Sequence, residues 1–173
     1  SALMLGSTRM TGVFSGSRLT DPELIRRRVE ARIARREILT RIDAPPHLWA
    51  VIDEAALRRP IGGPKVMADQ LRYLLRVAQW GHIDIQILPF SAGAHAALGA
   101  PFTILEFENP TDPTIVYADT VDSGVLEERP DAVCSYIAVY GELQGAALSS
   151  VQSARFLERV LTEYEAKDEA DEA

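Results

Sequence analysis

The chain has 173 residues, a formal net charge of −7, 47% apolar residues and 25% charged residues. This balance is typical of a globular domain that buries a core, and no apolar run approaches the roughly 20 residues that a membrane-spanning helix needs. A single cysteine, Cys134, excludes an internal disulfide, and we expect a buried structural thiol in a cytoplasmic protein.

The N-terminal half predicts two helices with a strand between them. Residues 1–20 are small and polar and predict a loose arm, after which a helix begins at Thr20 and ends near Arg41. Residues 47–53 are a mainly apolar run, typical of a strand that is covered on both faces. Apolar residues at helical spacing then predict a second helix over residues 64–80.

The C-terminal half predicts strands first and helices last. Strands are expected over residues 83–90, 102–107 and 114–118, and the turn with Pro110 and Pro113 makes the last two an antiparallel hairpin. A short edge strand at 124–128 and helices over 130–146 and after Leu148 complete the chain. We predict an α/β or α+β fold, with a mixed sheet of four or five strands and about four helices. A single domain would span residues 21–164, followed by a solvated or frayed acidic tail, residues 165–173.

Two acids and two arginines follow the first predicted strand. If the strand continues, Asp53 and Glu54 point to opposite faces and cannot serve one substrate together. If the chain turns helical at Asp53, both acids belong to the start of a short turn that ends at Arg58 and Arg59. The first interpretation leaves one acid and one arginine to line a binding crevice, and the second is purely structural.

A glycine pair precedes the second predicted helix. Gly62 and Gly63 lie between two prolines, so the free amides at the start of that helix could hold an anion. The segment lacks the G-K-[ST] ending of a P-loop and the G-x-G-x-x-G pattern of dinucleotide-binding folds. A tight turn is therefore the simpler interpretation.

A second group of candidates begins where the 83–90 strand ends. Phe90, Gly93 and His95 are close in sequence, and Tyr117 lies on a later strand. Ser91 with His95 would need an orienting acid to form a hydrolase site, and the nucleophile-elbow motif is absent. His95 is then either an exposed loop residue or a ligand contact. The spacing of the three histidines predicts no metal site, and no cofactor is implied.

The first helix is rich in arginine. Arg28, Arg32, Arg35 and Arg36 lie three or four residues apart and alternate with acids. No aromatic residues for base stacking accompany them, and the whole chain is acidic. A solvated face with ion pairs, or a contact with an acidic partner, is favoured over direct binding of nucleic acid.

Several blocks together resemble one known family. They are VEARIARREIL, VIDEAALRRPIGGPKVMADQLRYLL, IQILPFSAGAHAALGAPFTILEF, IVYADT and ALSS, and the similarity extends over residues 23–161. The family is the uncharacterised C-terminal domain that follows an XRE-type helix-turn-helix in many actinobacterial, often antitoxin-like, regulators. Residues 1–16 depart from the family's Pro-Gly-Leu-Leu-Gln-Thr-like lead-in, and the family's DNA-binding domain is not in this chain.

The resemblance implies a non-catalytic domain of a transcriptional regulator that senses a ligand, dimerises or docks a partner. The partner would be a small molecule or a small protein encoded nearby, DNA would be contacted only through the missing helix-turn-helix domain, and a homodimer is expected. The alternative is a small enzyme of secondary metabolism in which Asp53, Glu54 and His95 act as acid or base, beside Arg58 and Tyr117.

Overall fold

The computed structural model describes residues 37–95, 101–119 and 124–172, together with the residues at 23, 26, 27, 30, 33 and 34. The chain divides into two compact units, and each is described by itself. The first unit contains residues 1–89 and 148–173, and the second contains residues 90–147. The predicted arm, residues 1–20, and the predicted helix start at Thr20 lie outside the described residues.

The described residues between 23 and 38 are helical, as the sequence predicts. Arg26 donates hydrogen bonds to Glu23 at 2.8 Å and to Glu30 at 3.2 Å, and Arg27 contacts Glu23 at 3.3 Å. All three pairs are three or four residues apart on exposed side chains, where such contacts each contribute a few tenths of a kcal/mol. The arginines for which the sequence predicts a solvated, ion-paired face, Arg28, Arg32, Arg35 and Arg36, lie outside the described residues, so that face stays a prediction.

A parallel strand pair forms the centre of the first unit. Strand β1, Leu48–Asp53, pairs with β2, Ile83–Leu88, in a register that sets Leu48 opposite Ile83 and Ile52 opposite Ile87. Two helices connect them, α1 at Glu54–Arg58 and α2 at Pro64–Val77. The prediction that β1 is a central strand covered on both faces is wrong, because β2 is its only partner in the described sheet, which makes β1 an edge strand, and because Trp49 on one of its faces is 53% exposed.

The second edge of β2 is closed by the chain that returns from the other unit. The backbone N–H of Leu148 donates to the carbonyl of Ile87 at 2.9 Å. The buried hydroxyl of Ser153 accepts the N–H of Ile87 at 2.9 Å and donates to the carbonyl of Leu148 at 3.2 Å. A side chain and a loop thus take the place of a third strand at Ile87.

The core of the first unit lies between this strand pair and two helices. Helix α4 extends over Ser150–Glu172 and packs against α2 and β2. The strict alternation of β2 buries Ile83, Ile85 and Ile87 and leaves Asp84 exposed. Burial of each large apolar side chain contributes about 1.5–3 kcal/mol. The fully buried large side chains of α1, α2 and α4 are Leu57, Met67, Leu71, Leu74, Val77, Leu157 and Val160.

The acidic C-terminal segment continues α4 to Glu172, where the sequence predicts a solvated or frayed end. Two contacts hold the first part of this segment. Arg72 of α2 donates to Glu165 at 2.6 Å, and the Lys167 ammonium lies 5.2 Å from the ring centroid of Tyr164. These contacts offset the repulsion between neighbouring carboxylates, which is the feature that predicts fraying.

The second unit combines three antiparallel strands with one helix. Strands β3, Phe102–Leu105, β4, Ile115–Asp119, and β5, Gly124–Glu127, form a sheet in that order, and the predicted hairpin of β3 and β4 is confirmed. Helix α3, Pro130–Ala146, contacts β4 and places Tyr136 5.1 Å from Phe102. Cys134 is exposed, so the prediction of a buried thiol is wrong. Val133 and Leu143 are the buried apolar residues of α3, and Cys134 lies one residue beyond that face.

The predicted α/β class is confirmed in the described part of the chain. Its five strands form a two-stranded parallel sheet and a three-stranded antiparallel sheet, where the sequence predicts one mixed sheet. The predicted domain boundaries at residues 21 and 164 stay predictions. None of the helices in the described ranges is long and apolar enough to span a membrane.

Candidate functional site

Asp53 is the residue at which β1 becomes α1. Its backbone is extended, with φ −65° and ψ 136°, and its Oδ1 accepts the backbone N–H of Ala55 at 2.6 Å. An N-cap carboxylate of this kind satisfies an amide at the helix start and typically contributes about 1 kcal/mol. The chain therefore turns helical directly after Asp53, as the structural interpretation of the sequence expects.

Glu54 and Arg58 form an ion pair along the short helix. Arg58 Nε donates to Glu54 Oε1 at 3.1 Å, and the Glu54 side chain is only 11% exposed. Arg58 Nη1 also donates to Glu163 of α4, and its guanidinium lies 5.8 Å from the ring centroid of Phe156. Burial opposes the charge of Arg58, but the hydrogen bonds of Glu54 and Glu163 prevail and raise its pKa.

Tyr164 makes the second contact between α4 and α1. Its hydroxyl is buried and donates toward the carbonyls of Leu57, at 3.1 Å, and Arg58, at 3.0 Å. These carbonyls belong to the end of α1, where helical carbonyls lack partners in their own helix. We call this group the α1–α4 clasp. Its members are Glu54, Arg58, Phe156, Glu163 and Tyr164.

The clasp includes contacts between residues that the sequence gives no reason to place together. Glu163 and Tyr164 are more than 100 positions from the residues they contact. Phe156 is predicted from the sequence as an apolar residue of the last helix, and nothing in its spacing indicates a contact with Arg58. Only the fold brings these side chains to the end of α1.

Arg59, Gly62 and Gly63 belong to the turn between α1 and α2. Arg59 is exposed, and its N–H donates to the Ala55 carbonyl at 3.2 Å. Gly62 and Gly63 have φ values of 82° and 90°, a region that favours glycine. Gly63 is the N-cap of α2, ahead of Pro64 at its first position. The geometry accounts for both glycines as turn residues.

The other candidates lie in the second unit. Phe90 is 59% exposed and opens a short 3₁₀ turn, Phe90–Ala92, whose carbonyl at Phe90 accepts the N–H of Gly93 at 3.1 Å. Gly93 has a φ of 72°, and His95 is half-buried. Tyr117 is half-buried in β4, opposite Thr103 and Leu126. These four residues are therefore placed by a different unit from the one that places Asp53 to Gly63.

Tyr117 has a close structural partner in Gly124. A Cβ at position 124 would overlap the ring and hydroxyl of Tyr117, so the ring lies directly on the glycine backbone. An aromatic ring over a strand glycine covers exposed backbone and fixes the ring orientation. Tyr117 is thus held as a rigid part of the sheet surface.

The donor chemistry of the described ranges is limited. Histidine, cysteine, aspartate and glutamate side chains form no cluster of three or more there that could hold a metal ion. In the first unit, the clasp brings together Glu54, Arg58 and Glu163, and a second group pairs Arg72 with Asp69 and Glu165.

Comparison with known families gives one match. Residues 9–159 match the family described as a domain of unknown function, DUF5753, and the chain belongs to this family. No curated protein and no solved structure matches the chain.

Proposed function

We propose that this DUF5753 protein is a non-catalytic, partner-docking domain of a helix-turn-helix transcriptional regulator. The observation that supports docking is the number of large apolar side chains that the second unit exposes to solvent. Among the described residues, ten large apolar side chains are exposed, and six of them lie between residues 90 and 147. They are Phe90, Leu105, Phe107, Val125, Leu126 and Ile137.

The same unit buries little. Its buried apolar side chains within the described ranges are Val116, Val133 and Leu143. Six exposed large apolar side chains in one small unit favour an interaction surface, because soluble monomers keep contiguous apolar patches small. A partner that covers these side chains would supply the burial that the unit itself lacks.

The clasp weakens the enzyme alternative. A general acid or base must reach the substrate and exchange a proton with it. Asp53 caps α1, Glu54 is mainly buried against Arg58, and Arg58 also contacts Glu163. These side chains carry out contacts that hold the fold together, which favours binding over catalysis.

The regulatory part of the proposal rests on the DEAALRRPIGG and LPFSAGAH blocks, which resemble those of domains that follow an XRE-type DNA-binding domain. The helix-turn-helix domain would contact the operator, and the domain described here would dock the partner. A dimer would match the two-fold symmetry of an operator. The net charge of −7 agrees with a domain that does not itself contact DNA, because DNA is also negatively charged.

Native mass spectrometry of protein purified at its natural level from the host tests docking. Leu126→Asp changes a side chain that is 61% exposed in the second unit, and Val151→Asp is the matched control, at 64% exposure in the first unit. We expect a complex of fixed stoichiometry for the wild type and for Val151→Asp, and its loss for Leu126→Asp. An uncomplexed chain in all three samples would contradict docking.

Transcript profiling of the same strains tests regulation. Deletion of the gene and the Leu126→Asp variant should change transcripts from the same promoters, because both remove the docked state. A deletion strain with an unchanged transcript profile would contradict the regulatory role.

A further inference from the structure

Phe102, which contacts Tyr136 of α3, lies on one face of the three-stranded sheet, and its neighbour Thr103 lies on the opposite face. In the register of β3, β4 and β5, Thr103 lies opposite Tyr117, and Tyr117 lies opposite Leu126. Leu105 and Ile115 form the next pair on the same face, since side chains alternate along each strand. We call this set the second sheet face, and its members are Thr103, Leu105, Ile115, Tyr117 and Leu126.

The second sheet face is apolar and partly open. Leu126 is 61% exposed and Leu105 is 40% exposed, while the other three members are half-buried. Tyr117 lies in the middle of the face, pressed onto the backbone of Gly124. These five side chains are uncharged, and the register continues the face with one acidic position, Asp119 opposite Gly124. A rigid aromatic residue with neighbouring leucines is the composition that interface centres favour.

The formal charge of the second unit is strongly one-sided. Residues 90–147 contain nine carboxylates and one arginine, a formal charge of −8, so the remainder of the chain carries +1. The single cation, Arg129, pairs with Glu127 at 2.7 Å. The carboxylates are Glu106, Glu108, Asp112, Asp119, Asp122, Glu127, Glu128, Asp131 and Glu142. Glu106 directly follows the end of β3 at Leu105, Glu128 directly follows the end of β5 at Glu127, and both are exposed.

An apolar face on a negatively charged unit favours a partner that is apolar at its centre and positively charged overall. We propose that the second sheet face docks a basic protein whose apolar side chains cover Leu105, Tyr117 and Leu126, with lysines and arginines around them that face the surrounding carboxylates. The inference rests on the proposed docking function and specifies its partner. Two copies of this chain would instead bring two units of −8 together, and nucleic acid would meet the same repulsion.

Site-specific photo-crosslinking in the host tests this inference. The photoreactive residue p-benzoylphenylalanine replaces Leu126 in one strain and Val151 in the control strain, and the products are identified by mass spectrometry. We expect position 126, and not position 151, to crosslink to a protein with an excess of lysine and arginine. In the crude extract, raising the salt from about 0.05 to 0.5 M should lower the yield several-fold, because ionic attraction is then screened.

A charge variant separates ionic attraction from simple apolar contact. Glu106, Glu108 and Glu128 are exposed, and changing all three to glutamine keeps their size while removing three charges. Crosslinking from position 126 should fall about tenfold, mainly through slower association.

The remaining outcomes distinguish the two proposals. A crosslink from position 126 to an acidic protein, to a second copy of this chain or to DNA would overturn the basic-partner inference and leave docking intact. The same basic protein captured equally from positions 126 and 151 would also overturn it, because the contact would be nonspecific. The absence of any crosslink from position 126 would contradict docking itself.

Discussion

Removing the Arg58 side chain decides whether the DEAALRR block acts in folding or in binding. Arg58→Ala removes the cation that faces the mainly buried Glu54 carboxylate, the contact with Glu163 and the packing on Phe156. The Arg58 side chain is itself 37% exposed, so each contribution is reduced by solvent. Loss of the Glu54 contact should cost about 1–2 kcal/mol, and the Glu163 and Phe156 contacts about 0.5 kcal/mol each.

The expected loss is therefore about 2–3 kcal/mol in the free energy of unfolding. Urea denaturation followed by tryptophan fluorescence measures it, because both tryptophans, Trp49 and Trp80, belong to the first unit. With a urea slope of about 2 kcal/mol per M, the midpoint should fall by about 1–1.5 M. Arg59→Ala is the matched control, since Arg59 is adjacent and exposed, and its midpoint should move by less than about 0.3 M.

Equal midpoints for Arg58→Ala and Arg59→Ala would refute the structural role of the clasp. A second check uses Glu163→Gln alone and combined with Arg58→Ala. The two changes should be non-additive by about 0.5 kcal/mol, because each removes the same ion pair. Full additivity would show that this ion pair contributes nothing to stability.

Three further changes probe other contacts. Ser153→Ala removes a buried hydroxyl that bridges β2 and the returning chain, and should cost about 2 kcal/mol in urea denaturation. Gly124→Ala places a Cβ in the Tyr117 ring, and should accelerate hydrogen exchange of the β4 and β5 amides by at least about tenfold. Arg129→Gln should return the pKa of Glu127 from about 2 toward its ordinary 4.5 in an NMR titration, because side-chain and then backbone hydrogen bonds from Arg129 lower it.

Each of these changes has a control and a contradicting result. Ser150→Ala, at an exposed site, should barely alter stability, and an equal loss for both serines would contradict the bridge. Gly141→Ala meets nothing within 4 Å and should leave exchange in the sheet unchanged. A lowered folded-state pKa stabilises at pH values above the unfolded value, so the contribution of Glu127 is lost as the pH falls from about 4.5 toward 2. A Glu127 pKa near 4.5 in the unchanged chain would contradict the ion pair.

Local patterns account for most of the elements. Alternation predicts β2, and the proline-rich turn predicts the pairing of β3 with β4. The Asp53–Arg58 segment is also local, because a cap and a pair four residues apart are both visible in the sequence. These features depend on neighbours in the chain, which is the information that a sequence pattern contains.

Contacts between distant segments are not visible in this way. Alternation states which face of a strand is buried and gives no strand order, so the division into two sheets was not predicted. Glu163 and Tyr164 reach α1 only because α4 packs across α2 and β2. The helical form of the largely exposed acidic tail is hidden from the sequence for the same reason, since Arg72, which contacts Glu165, lies on another helix.

The hydrogen bond between Leu148 and Ile87 has an evolutionary consequence. The chain leaves the first unit after Pro89 and re-enters it at Leu148, directly beside the point of departure. An insert whose ends meet can be lengthened, exchanged or deleted while the host fold keeps its connectivity. The connectivity would therefore allow residues 90–147 to be exchanged while the first unit keeps its fold. Descendants of one ancestral domain could acquire new binding specificities without redesigning the scaffold that carries them.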